Sequence, residues 1–133
     1  MNRITAFLEQ NPAGFMATVE DGKPRVRPWQ FMLRYADMLV FCTGKNKAVY
    51  RQLMKEPYMA FSSVSPDMRW IRLQGGVTFT DDIVIKRKVF ETHAALKNLY
   101  RDAADPLFTL ITMSRGEAFF GDFSGAPYSR IVF

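Results

Sequence analysis

Thiols are nearly absent from this chain. Cys42 is the single cysteine among 133 residues, so no internal disulfide can form and a reducing compartment is the simple expectation. Histidine is equally scarce. With His93 alone, no Ser/His/Asp arrangement can be composed, and no Cys/His cluster, HExxH or carboxylate array offers a metal site. No apolar run approaches about 20 residues, which argues against a membrane-spanning helix. The opening MNRITAFLEQN lacks the apolar stretch of a secretion signal. A soluble, cytoplasmic protein without a membrane partner is therefore expected. Repeats and low-complexity tracts are also missing.

What remains is a composition suited to a packed core. Apolar residues make up 48% of the chain and aromatics 14%, too much for a disordered polypeptide. A length of 133 residues is expected to form one domain over 1–133. Its net charge of +5 suits an anionic small molecule as well as nucleic acid.

The hydrophobic pattern is mostly that of strands. Ile4, Phe7 and Leu8 mark a short helix ending near Asn11-Pro12. Phe15 to Glu20, Arg25 to Arg34 and Met38 to Cys42 follow as an antiparallel meander, with Asp21-Gly22-Lys23-Pro24 as its first turn. Lys45 to Lys55 reads as a helix and Tyr58 to Val64 as a strand. Met68 to Phe79 reads as one long strand bent at Gly75-Gly76. Thr80, Asp81 or Asp82 caps a long helix to about Tyr100, and Leu107 to Thr112 and Glu117 to Phe120 complete the set. About six or seven short strands without βαβ alternation predict a mainly β fold with inserted helices, a small antiparallel barrel whose closure removes exposed edges.

The chemistry concentrates in two segments. Side chains alternate along a strand, so Lys23, Arg25, Arg27 and Trp29 share one face, with Val26 and Gln30 on the other. Arginine suits bidentate phosphate contact, and a solvated strand face gains little from an indole. Further on, Thr43-Gly44-Lys45-Asn46-Lys47 joins a strand end to a helix start, where free backbone N–H groups attract phosphate. The P-loop spacing is absent, and lysines at a helix N-terminus oppose the dipole unless an anion compensates. Together the segments predict a pocket for a phosphorylated aromatic ligand. Trp70 and Arg72 alternate with Ile71 and Leu73 on the long strand, an outer row that a second subunit would cover. His93 reads as a packed, hydrogen-bonded residue on a stripe with Val89, Leu96 and Tyr100, and Cys42 as a small buried hydrophobe.

Three stretches, GFMATVEDGKPRVRPWQF, LVFCTGKNKAVYRQLMKEP and WIRLQGGVTF, occur in an order and at spacings that resemble the pyridoxamine 5′-phosphate oxidase-like, FMN-binding split-barrel superfamily over Gly14 to Phe123. That resemblance implies that Arg27, Thr43 and Lys47 hold the FMN phosphate, with Arg25 as helper. It implies that Pro28, Trp29, Gln30 and Cys42 line the ribityl chain and ring, and that Trp70, with Arg72, reaches the flavin of the other subunit. It implies a homodimer with flavin sites at the interface, acting on a small-molecule redox substrate. The segment Ala126 to Phe133 does not match the tryptophan- and arginine-bearing end of pyridoxamine phosphate oxidases proper, so that particular activity is not expected.

The expected function is thus that of an FMN-dependent oxidoreductase with no catalytic side chain assigned. Two other readings stand beside it. One is a basic barrel binding single-stranded nucleic acid through Trp29, Trp70 and the arginines. The other is the same fold holding haem with His93 as axial ligand.

Overall fold

A computed structural model describes all 133 residues. After helix α1 (Asn2–Gln10), strands β1 (Ala13–Glu20) and β2 (Lys23–Gln30) form a hairpin. Asp21 and Gly22 turn it with φ of 53° and 73°. An Asp-Gly pair tolerates this left-handed geometry, which matches the twist of the flanking strands. The chain continues through β3 (Leu33–Tyr35), β4 (Met38–Gly44), helix α2 (Ala48–Lys55), β5 (Tyr58–Val64), β6 (Trp70–Gly76) and β7 (Thr78–Thr80). Helix α3 (Ile83–Thr92) and a 3-10 turn (Ala94–Asn98) precede β8 (Phe108–Met113), β9 (Glu117–Gly121) and β10 (Ser129–Val132).

Every strand pairing is antiparallel. The strands form a six-stranded sheet, β10-β9-β6-β5-β1-β2, and a four-stranded sheet, β3-β4-β8-β7. They are two sheets of a split barrel rather than one closed cylinder, so the expected removal of edges does not occur. The edge strand β2 carries Pro24 and Pro28, which lack a backbone donor and suit a strand paired on one side only.

Two expected strands are divided between the sheets. The stretch from Arg25 to Arg34 breaks at Phe31-Met32, where Met32 N–H donates to Val40 O at 3.0 Å and the chain enters the second sheet as β3. The stretch from Met68 to Phe79 likewise crosses at Val77. Gly75 lies so close to the β8–β9 turn that a Cβ there would be 2.6 Å from Arg115 O. The expected helix to Tyr100 also ends early, at Thr92; its N-cap is Asp82, which accepts from Val84 N–H at 2.9 Å. β10 has no counterpart in the sequence reading.

One core lies between the sheets and beneath α1 and α2, with Ile4, Leu8, Met16, Phe41, Leu53, Phe61, Leu73 and Ile111 at its centre. A second packs Val40, Leu110 and Phe108 against Val89, Phe90 and Leu96. β8 is consequently buried along its whole length and β4 along nearly all of it. No helix is long and apolar enough to cross a membrane.

Candidate functional site

A cleft of about 750 Å³ opens where the end of β2 and the end of β4 face the segment Thr92 to Tyr100. Six residues singled out from the sequence meet there: Pro28, Trp29, Gln30, Cys42, Thr43 and Lys47. Register explains the β2 set. Trp29 lies on the inner face, opposite Gly14, and its Nε1 donates to Cys42 O at 3.1 Å, which fixes the indole between the two sheets.

The polar end of the cleft forms where β4 runs into α2. Thr43 is 2% exposed, and its hydroxyl makes only a long 3.5 Å bond to Gly44 O, leaving it free to donate to a ligand. Lys47 is the N-cap of α2, exposed and without a carboxylate partner, whereas Lys45 is committed to Asp81 at 2.7 Å. The first N–H groups of α2 complete an anion-binding corner. Tyr100 stands beside it: a Cβ built at Gly44 would be 3.1 Å from the phenol oxygen.

The rest of the lining is largely apolar, with Met32, Leu96 and Leu99. Burial pushes the Cys42 thiol up to about 12. Burial, with smaller contributions from Cys42 and Asp105, pushes the Tyr100 phenol up to about 12. Both are therefore neutral near pH 7, and Lys47 supplies the positive charge of the lining. An elongated ligand, planar and apolar at one end and phosphorylated at the other, fits this donor set, which is the test FMN has to pass.

Arg27 and Arg25 occupy the same inner face as Trp29, as the alternation requires, but protein groups already face them. Arg27 Nη2 donates to Gln52 Oε1 at 2.6 Å, and Nη1 to Thr18 Oγ1 at 2.9 Å and Met16 O at 3.3 Å. Desolvation draws its pKa below the ordinary arginine value, partly offset by Glu20. Arg25 pairs with Glu20 at 3.5 Å, and Arg51 with the same carboxylate at 2.8 Å. The cationic row is thus met by Glu20, Gln52 and Thr18.

Trp70 and Arg72 are not brought to the cleft within one chain. They lie on the outer face of the six-stranded sheet, as the alternation with buried Ile71 and Leu73 predicts. The Arg72 guanidinium stacks 4.6 Å from the Phe119 ring centroid. Trp70 Nε1 donates to Asp122 O at 3.2 Å, and its ring lines a separate hollow of about 440 Å³ beside α1. Within one chain the two tryptophans therefore form no common stacking platform.

The sequence reading missed the far wall. His93 lies at the break between α3 and the 3-10 turn, and its Nε2 is 2.7 Å from Met32 O. It is hydrogen-bonded, as expected, yet it lines the cleft together with Leu96, Leu99 and Tyr100. The stripe of Val89, Leu96 and Tyr100 read from the sequence does pack into the second core, and the break after Thr92 also brings Leu96 and Tyr100, with His93 and Leu99, to the cleft wall. Gln52 was also missed, because it acts on Arg27 from an element 25 residues away. No three His, Cys, Asp or Glu side chains gather as a metal site.

The family model for pyridoxamine 5′-phosphate oxidase matches residues 1–118. No curated protein matches the sequence. Among solved structures, a NimC/NimA family protein from Clostridium acetobutylicum is 28% identical with a TM-score of 0.90, covering 100% of this chain and 92% of that one. A pyridoxamine 5′-phosphate oxidase-related, FMN-binding protein from Nostoc punctiforme is 18% identical with a TM-score of 0.77, covering 97% and 87%. A haem-binding protein from Mycobacterium smegmatis is 17% identical with a TM-score of 0.76, covering 98% of this chain and 55% of that one.

Proposed function

The chain belongs to the pyridoxamine 5′-phosphate oxidase family, and from that premise we propose that its cleft binds FMN and that the protein is a homodimeric oxidoreductase acting on a small molecule. The observation that carries this reading is the pairing of an uncommitted Lys47 and a nearly free, buried Thr43 hydroxyl at the start of α2 with an apolar, aromatic wall. The Nostoc protein, which shares the fold and binds FMN, supports it.

FMN, when bound, supplies the electron and hydride transfer that no side chain of the cleft can perform. The protein's part is to bind and orient. Lys47, Thr43 and the α2 N–H groups hold the phosphate; Trp29, clamped to Cys42 O, fixes one side of the ring site. Leu96 and Leu99 line the opposite side. Neutral Cys42 and Tyr100 place no negative charge near the phosphate.

An absorbance spectrum of the purified protein, with identification of whatever it releases on denaturation, tests the cofactor directly. Released FMN supports the reading; a colourless protein that refuses added FMN removes it. Lys47→Ala deletes a charge-assisted phosphate contact of about 1.5–3 kcal/mol, so FMN affinity falls between tenfold and a hundredfold with the melting curve unchanged. Unchanged affinity in that variant would remove the phosphate corner.

A haem-bound state is the second reading, because His93 has one ring nitrogen fixed by Met32 O and the other unpartnered in the protein. It predicts a Soret band that His93→Ala abolishes.

A further inference from the structure

The cleft has a second polar end, opposite Lys47. Met32 N–H donates to Val40 O, and from Val40 to Thr43 β4 advances three residues, roughly 10 Å of strand. His93 is tied to the Met32 end of that line, and Lys47 and Thr43 mark the other. A carbonyl oxygen only accepts, so the 2.7 Å contact with Met32 O fixes the His93 proton on Nε2. With its proton on Nε2 alone, the ring presents Nδ1 as an acceptor, and no protein donor reaches it. Gln30, two residues before Met32, lines the same cleft with a side-chain amide that makes no hydrogen bond in the protein.

We propose that His93 reads the far edge of a planar ligand whose phosphate is anchored at Lys47: Nδ1 accepts a hydrogen bond from an imide N–H, and the Gln30 amide donates to a flanking carbonyl. The inference rests on the FMN reading of the same cleft. Oxidised isoalloxazine carries one ring N–H, on its pyrimidine edge between two carbonyl groups, and matches an acceptor placed beside a donor. The periphery of haem offers no such N–H, and there Nδ1 would have to ligate iron. An edge hydrogen bond to flavin and ligation of haem iron are thus alternative uses of the same nitrogen, which the ligand titrations tell apart.

The test is a cycle of two proteins and two ligands: wild type and His93→Phe, each titrated with FMN and with FMN methylated at the ring N–H. Methylation weakens binding to wild type on the order of tenfold, the value of one hydrogen bond left unmade. In His93→Phe the two ligands bind alike. An equal methyl penalty in both proteins, or none in wild type, overturns the role of His93 while leaving FMN binding intact. Wild type that binds no FMN overturns the cofactor reading and this inference together, and haemin binding lost in His93→Ala replaces both. Should phenylalanine disturb the end of α3, His93→Leu removes the acceptor with a smaller apolar side chain and must give the same equality.

Discussion

Cys42 and Tyr100 meet the second core from the wall of the cleft, and their burial makes stability depend on alkaline pH. The thiol is pushed from its ordinary 9.0 to about 12 by desolvation. The phenol is pushed from 10.0 to about 12, chiefly by desolvation. Between these limits the unfolded chain has lost protons that the folded chain retains. The slope of unfolding free energy against pH is then negative, so the contribution is complete below about pH 9 and is lost as pH rises towards about 12. The urea midpoint should fall steadily across that window. Cys42→Ala flattens its lower part and adding Tyr100→Phe flattens the remainder, whereas a wild-type midpoint independent of pH would show that neither group is buried as described. Cys42 burial was legible in the sequence, because Phe41 and Cys42 sit in an apolar run. The place of Tyr100 was not, since it depends on where α3 stops.

At the scale of the element, α2 is held to the β1–β2 hairpin by a polar clamp. Gln52 is 5% exposed, and its Oε1 accepts from both Arg27 and Thr18 at 2.6 Å. Gln52→Leu keeps the volume but leaves a guanidinium and a buried hydroxyl short of an acceptor, which should cost about 1–3 kcal/mol in urea unfolding. FMN affinity should fall less than in Lys47→Ala, since the phosphate corner is built from the helix start. A larger loss of affinity than of stability would instead make Arg27 a phosphate ligand oriented through Gln52. The period of two in β2 was readable and gave the correct faces for Arg25, Arg27 and Trp29. What faced them was not readable, because Gln52 and Glu20 reach the arginines across elements rather than along one. The strand that crosses between sheets at Val77 announced itself through Gly75-Gly76, while the crossing at Phe31-Met32 carries no glycine or proline. β10 is four residues long and mostly exposed, and only pairing with β9 defines it.

For the whole molecule, the outer face of the six-stranded sheet is where the proposed homodimer would form. Strand register aligns Pro28, Phe15, Ser62, Arg72, Phe119 and Arg130 in one row across all six strands. Val26, Ala17, Ala60, Gln74, Glu117 and Val132 make the next row. Phe15 is 59% exposed and Val26 69%, side by side at the edge that carries the cleft. A monomer has no use for such a face, whereas a stable dimer needs about 800 Å² from each partner and favours an apolar centre with an arginine and aromatic surround. The homodimer reading therefore places this face at the interface, where the partner's Trp70 and Arg72 would complete the cleft that one chain leaves open. Phe15→Asp puts paired carboxylates into that interface and should yield a folded monomer by sedimentation analysis. On the homodimer reading each site borrows from its partner, so the monomer should retain FMN at least tenfold more weakly. Wild-type protein that sediments as a monomer with a full flavin load would show instead that one chain builds the site alone.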